Sequence, residues 1–421
     1  MERFGFILSA SVLHDDERLN RLIADYTEAL EQLGGERWPD GQCNRPAPLL
    51  IFVVTGGTEQ KILRLWERRQ AAVPHEPVFL LAHPGHNSLP AALEVLARLR
   101  QDGARGRIFI LNGPDDSQGL QHIAAAIHDL AVYHALRQER LGLIGAPSDW
   151  LVASSPAPDI VRERWGPEVL PIPLDEVYRA MRAIPPEATT PLLDSLISGA
   201  DEVREPSRAA LQDGVRVYLA LKQVVKTHAL SALTLRCFDL VLRLKTTGCL
   251  ALAQLNDEGL IAGCEGDLVS AVGMLWAARL LDSRPWMANP ARLDEVRNTL
   301  WLAHCTVPRR LTQSYRLRSH FESGLGVGVQ GTLPTGSVTL LRIGGKEMEQ
   351  LWLAEGEILR TGDAADLCRT QVEIRLSAGH ITELLYAPLG NHLVLIAGHH
   401  AQQLAAWWEM MVSRATTDAR S

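Results

Sequence analysis

Cysteine is scarce. Six residues in a chain of 421 stand at irregular spacings with no C-x-x-C pair, which excludes a disulfide framework and a zinc-binding cysteine pattern and implies a reducing compartment. A basic excess is lacking too. The formal net charge is −7, whereas a nucleic-acid-binding protein carries a strongly basic domain. No apolar run approaches the roughly 18 residues of a membrane span, and the N-terminus lacks the apolar core and small-residue cleavage pattern of a signal peptide. Tandem repeats and low-complexity tracts are absent. The expectation is a soluble, cytoplasmic protein with neither nucleic acid nor membrane as a partner.

What is present is ordinary for a globular chain: 46% hydrophobic and 22% charged residues. Since single cores seldom grow past about 250–300 residues, the length predicts two or three domains. From Arg3 to Leu136 short apolar runs (Phe4–Leu8, Leu49–Val54, Val78–Leu81, Arg107–Leu111) alternate with longer amphipathic stretches, the pattern of βαβ units and a parallel sheet. A second such series opens at Leu141. Residues between Pro171 and Pro206 read as a helix-breaking connector, with Pro185, Pro186 and Pro191 as the breakers. After Pro308 the period drops to two in Val338–Ile343, Gln350–Ala354, Gln371–Leu376 and His392–Ala397, which predicts antiparallel strands. The expected architecture is α/β: two Rossmann-like, open parallel-sheet domains (1–138 and 139–297) followed by a β-rich, barrel-like domain (298–421).

The densest chemistry lies between Cys249 and Pro308. Glu265 and Asp267 sit at a turn with Gly263 and Gly266, after an apolar run and before a helix expected to start at Leu268, where Leu268, Ala271, Val272 and Leu275 define an apolar face. A helix N-terminus favours negative charge, so Asp267 reads equally as a catalytic carboxylate and as a helix cap. Glu265 stands at the end of an apolar strand, where open α/β sheets bind ligands.

This stretch resembles the L-fucose isomerase and L-arabinose isomerase superfamily, in which a C-E-x-D element, here Cys264 to Asp267, begins a helix. The resemblance implies metal binding by Glu265, by a second carboxylate about two dozen residues on, and by histidines. At the second carboxylate this sequence has Asn289, within WMANP. His304, in LAHCTVP, matches a histidine often found in an HC pair. The segment PLGNHLVLIAG resembles the family's C-terminal strand with its two adjacent histidines, of which His392 remains, followed by Leu393. The implied metal set is Glu265, Asn289, His304 and His392 around Mn²⁺ or Mg²⁺, and the departures at Asn289 and Leu393 imply weak binding or none. The family also implies a homo-oligomer, a trimer or hexamer.

Further candidates are less specific. Thr55, Gly56, Gly57 and Thr58 form a strand-to-helix loop of a kind found in the same family, where glycines let backbone approach a ligand; a plain turn accounts for it as well. Trp150, in the loop after Leu141–Gly145, suits the apolar face of a sugar or a half-buried core edge. Arg236 ends a strand expected at Ala229–Leu235, and Arg316 and Arg318 follow His304. Guanidinium groups suit anionic substrate groups, although most such charges are solvated.

An aldose–ketose isomerase needs a divalent cation to polarise the carbonyl and a carboxylate to move a proton between adjacent carbons. Glu265 and Asp267 are the candidate catalytic pair. The resemblance implies isomerisation, or a related enediol-type reaction, on a sugar or an anionic sugar derivative. A metal-independent lyase or transferase on the same scaffold, or a silent sugar-binding relative, stays open because fold does not fix function.

Overall fold

The computed structural model describes residues 2–11 and 17–413. They form two compact units, the described residues up to 135 with 406–413, and residues 136–405.

In the first unit five parallel strands lie in the order Gly35–Arg37, Phe4–Ser9, Leu49–Val53, Val78–Ala82, Gly106–Ile110. Leu49–Val53 and Val78–Ala82 are buried along their whole length, as strands covered on both faces must be. The helix Glu59–Ala72 buries Ile62, Leu65, Trp66 and Arg69, a three- and four-residue spacing that makes one face. Arg69 is the polar member of that face. It is fully buried, donates to Glu76 at 2.5 and 2.7 Å, and reaches the carbonyls of Cys43 and Ala47 at 2.8 and 2.7 Å. His134 meets the same Glu76 carboxylate at 2.7 Å. In the chain's last helix, Ala401–Met411, Trp407 is buried and donates to the Asp129 carbonyl at 3.0 Å.

The second unit holds a four-stranded parallel sheet, ordered Ile261–Cys264, Ala232–Leu235, Arg140–Ile144, Glu168–Ile172. It also holds a closed antiparallel barrel. Its strands run Trp286–Asp294, Thr299–His304, Thr370–Ala378, Gln350–Thr361, Gly336–Gly344 and Leu393–Ala397, the last pairing with the first. The expected α/β class with parallel sheets and a barrel-like C-terminal region is what the chain adopts. Alternation along the barrel strands sends Leu300 and Leu302, Val338 and Leu340, and Leu393 and Leu395 into one core.

Two expectations change. Residues 171–206, expected as a helix-breaking connector, carry the helices Leu174–Ala183 and Thr190–Gly199. Pro173 stands at one N-cap and Pro191 in the other's first turn, where a missing N–H costs nothing. The helix Leu268–Leu281 begins where expected but is buried nearly all round, because it lies between the parallel sheet and the barrel. Its Gly273 faces Leu341, Ile343 and Val394 of the barrel strands. Among the described residues no helix is long and apolar enough to cross a membrane.

The Arg69–Glu76–His134 cluster makes the first unit's stability depend on one carboxylate. Burial opposes its charge, but hydrogen bonds from His134 and Arg69 hold Glu76 below the ordinary 4.5. A depressed carboxylate stabilises the fold above its unfolded pKa, and that contribution is lost as pH falls through the folded value. Glu76→Ala should cost about 3–5 kcal/mol in denaturant unfolding, the scale of removing one partner of a buried ion pair. It should also flatten the loss of stability below pH 4.5.

Candidate functional site

Strand ends build the site. Cys264 closes the strand Ile261–Cys264, and the next two residues turn sharply: Glu265 has φ +63° and Gly266 φ +74°. A positive φ at a non-glycine residue costs on the order of 1–3 kcal/mol. At Gly266 a Cβ would also meet the Ala146 carbonyl at 2.8 Å. The turn is held by backbone bonds from Ser148 to the Glu265 carbonyl at 2.8 Å and from Gly266 to the Leu235 carbonyl at 3.1 Å. Glu265 is thereby aimed sideways, and its Oε2 accepts the Trp150 indole N–H at 2.5 Å.

Asp267, expected as a catalytic carboxylate or a cap, is the cap. Its Oδ1 accepts from Ser270 N at 2.7 Å. Its Oδ2 meets Ser270 Oγ at 2.8 Å, Arg342 Nη1 at 3.3 Å and His392 Nδ1 at 2.9 Å. It has no exposed surface and does not line the cavity described below. What it does is fix the His392 ring.

With Nδ1 held, His392 presents Nε2 toward Glu265 Oε1 at 3.6 Å. That nitrogen is buried and has no hydrogen-bond partner. His304, at the end of Thr299–His304, has Nδ1 engaged by the Thr306 hydroxyl at 2.9 Å, which leaves its Nε2 outward. One ligand atom from each of Glu265, His304 and His392 lies within 4.8 Å of the other two. The set of one carboxylate and two imidazoles, with an orphaned buried nitrogen among them, fits a divalent cation of the Mn²⁺ kind, and Asp267 behind His392 is the usual outer partner of a ligating imidazole.

Electrostatics follow the geometry. Burial alone would lower the His392 pKa, but the hydrogen bond with Asp267 and the neighbouring Glu265 carboxylate push it up to about 9. Burial, then the neighbouring His392 charge, bring His304 down to about 4. Burial opposes ionisation of Glu265 and Asp267, and both are nonetheless held low, Glu265 by His392 and Asp267 by Arg342 and His392.

Glu265 and His304 open on a cavity of about 390 Å³, within the usual range of small-ligand sites, whereas the fully buried His392 does not line it. Trp150, Glu265, Asn289 and His304 line it. Asn289 faces the cavity from the barrel strand that pairs it with Ala303. Leu393 belongs to the barrel core, so in this strand the histidine that remains is the one aimed at Glu265. Arg236, Arg316 and Arg318 do not line the cavity. Arg236 is held by Asp239 at 3.0 Å and Asp149 at 3.2 Å, Arg316 lies 3.6 Å from Glu202, and Arg318 is buried against both Glu205 oxygens at 2.7 and 2.8 Å. Thr55, Gly56, Gly57 and Thr58 lie in the first unit. There Thr55 Oγ1 accepts from Ser11 N at 2.8 Å, Gly56 N donates to the His86 carbonyl at 2.8 Å, and Thr58 Oγ1 donates to the Thr55 carbonyl at 2.9 Å.

Phe238, not singled out from the sequence, also lines the cavity. Phe238 stands edge-on to Trp150 with ring centroids 4.9 Å apart, and to His320 at 5.6 Å. His320, Phe321 and the exposed Glu322 complete that wall. They belong to the stretch Tyr315–Gly328, which by the family resemblance is expected to line the site, and these three residues do line the cavity. The useful signal was the break in strand alternation after Arg318.

No protein-family model matches the chain. It is similar to proteins named sulfoquinovose isomerase. That from Clostridium sp. (strain MSTE9) is 23% identical over 341 residues, 77% of this chain and 75% of that protein. That from Alkalicoccus urumqiensis is 23% identical over 259 residues, 60% and 58% respectively; the alignment thus spans under two thirds of the Alkalicoccus protein. The Priestia aryabhattai protein is 20% identical over 319 residues, 72% and 70%. These relatives bear the name of a sugar isomerase, though not of the fucose or arabinose enzymes.

His392 gives the metal-free protein a pH signature. A histidine whose folded pKa is raised adds stability that is complete below its unfolded value and disappears as pH climbs through the folded one. Thermal unfolding of the metal-free protein should therefore move to lower temperature as pH rises from about 6.5 to about 9. His392→Gln should abolish that slope; an unchanged slope in the variant would assign it to another group.

Proposed function

We propose that the chain is an aldose–ketose isomerase that acts on a sugar, with a divalent cation held by Glu265, His304 and His392. The observation that carries the reading is the meeting of one ligand atom from each of these three side chains within 4.8 Å, with Glu265 and His304 lining the cavity and the buried His392 Nε2 without a hydrogen bond. Similarity to proteins named sulfoquinovose isomerase supports the sugar-isomerase class and makes a sulfonated aldose the first substrate to try.

Asn289 contributes an amide oxygen where the resembling family has a carboxylate, so Glu265 is the anionic member of the set. A cation in this set supplies polarisation of the sugar carbonyl and its neighbouring hydroxyl. The chain's own residues do the rest. Asp267 is a positioning residue that keeps the His392 ring in its tautomer and orientation. Trp150 and Phe238 offer aromatic edges and faces to the apolar side of a sugar ring. Glu265 is assigned to the cation and its Oε2 accepts from Trp150, so the carboxylate assigned to the proton transfer between adjacent carbons is Glu322, exposed on the cavity wall. An exposed carboxylate can exchange its proton with solvent between turnovers.

The purified protein loaded with Mn²⁺ should convert an aldose to its ketose, followed by NMR over a panel that includes sulfoquinovose. Glu265→Gln should lower Mn²⁺ affinity, measured by calorimetry, by more than the roughly 10–100-fold that an outer partner of a metal ligand is worth. A metal-loaded protein inert toward every aldose would end the isomerase reading.

Glu322→Gln separates the two roles. It should lower kcat by about 10²–10⁴, the usual share of a general base, with Mn²⁺ affinity unchanged. Full activity in that variant would return the proton transfer to another group.

A further inference from the structure

The cavity wall is rich in sulfur although the chain is not. Cys237, Cys249, Cys264, Cys305 and Cys368 all line it, and all are free thiols, as is the remaining cysteine, Cys43. Cys264 ends the strand Ile261–Cys264, and Cys237 lies two residues past the parallel neighbour Ala232–Leu235, whose Leu235 is the register partner of Cys264. Their Sγ atoms are 3.1 Å apart. A disulfide needs about 2.05 Å, so an approach of about 1 Å joins them. Most buried cysteines act as small hydrophobes and stay inert. In this pair the sulfurs are 3.1 Å apart and both residues border a cavity that a small molecule can enter.

We propose that Cys237 and Cys264 form an oxidation site, converted to a disulfide by a small peroxide entering the cavity. One thiolate attacks the peroxide, the O–O bond breaks, and a sulfenic acid forms as the first water leaves. The second thiol then displaces the sulfenic oxygen, which departs as the second water, and the S–S bond forms. In balance, two thiols give up two electrons and two protons, and hydrogen peroxide becomes two waters. The product sits next to the strained turn. Cys264 is bonded directly to Glu265, which stands at a positive φ, so a shift of Cys264 toward Cys237 is passed to the turn that carries the Glu265 carboxylate. That consequence rests on the metal-site reading above; the linkage itself does not.

The test treats the native protein with hydrogen peroxide, alkylates the remaining thiols after denaturation, and maps peptides by mass spectrometry. The expected result is a linked pair of peptides carrying Cys237 and Cys264, undone by dithiothreitol and absent from Cys237→Ser, with Cys43 still alkylated. Full alkylation of Cys237 and Cys264 after treatment, or Cys264 joined to Cys249 or Cys305 instead, would overturn the site. Calorimetry with Mn²⁺ on the oxidised and re-reduced protein then reads the coupling. At least about tenfold weaker binding, restored by dithiothreitol, is expected on the scale of a disturbed metal ligand. Equal affinity in both forms would overturn the coupling to Glu265 while leaving the peptide map, and the isomerase assay, to stand or fall separately.

Discussion

A buried carboxylate ties the second unit together. Asp267 has no solvent contact, and an isolated charge in that position would be prohibitive. It is tolerated because donors surround it: the backbone and hydroxyl of Ser270, the guanidinium of Arg342 and the imidazole of His392. Each donor comes from a different part of the architecture. Ser270 belongs to the helix Leu268–Leu281, Arg342 to the barrel strand Gly336–Gly344, and His392 immediately precedes the strand Leu393–Ala397. Helix start, barrel and site are therefore set by one ionised group. Arg342 is itself nearly fully buried and satisfied by Ser154, Ser270 and the Leu389 carbonyl, so the network closes without leaving a charge stranded.

The strain at Glu265 has meaning in that setting. A glutamate in the left-handed region persists only where its surroundings over-determine it. Here the turn is pinned by Ser148, by Leu235 and by the cap immediately after it. The result is a carboxylate that leaves the sheet edge sideways, toward His392 and Trp150, instead of continuing the strand direction. The neighbouring histidines divide labour through their partners. Asp267 behind His392 raises that ring's affinity for a proton, whereas His304, backed by a hydroxyl, is held neutral by burial. The cluster thus holds one ring that binds a proton tightly and one that stays free of it.

The arginines show why charge in a sequence is a poor guide to a site. Arg236, Arg316 and Arg318 look like anion binders because guanidinium groups are, yet each meets a carboxylate supplied from its own unit. Glu202 and Glu205, distant in sequence from the arginines they meet, gave no sign of this in linear order. By contrast Phe238 and Glu322 carry no individual signal in linear order, and such residues reveal their direction only once the chain around them is fixed.

Local spacing determined much. The alternation of apolar runs with amphipathic stretches specified parallel sheets, the change to period two specified the antiparallel region, and the acidic residue before Leu268 specified a helix start, because each is a short-range matter of side-chain direction and backbone capping. Glu265, His304 and His392 were readable as candidates from residue type and resemblance. The resemblance implied that they meet, but not how the fold brings this about. Their meeting requires residues over a hundred positions apart to be joined across a closed barrel and a buried helix, and side chains such as Asp267 and Leu393 to be assigned to one face or the other. Tertiary packing decided that Asp267 faces His392 and not the cavity, and that Leu393 fills the barrel. A buried charge must find its donors and an apolar side chain its core, and neither partner is a neighbour in the sequence.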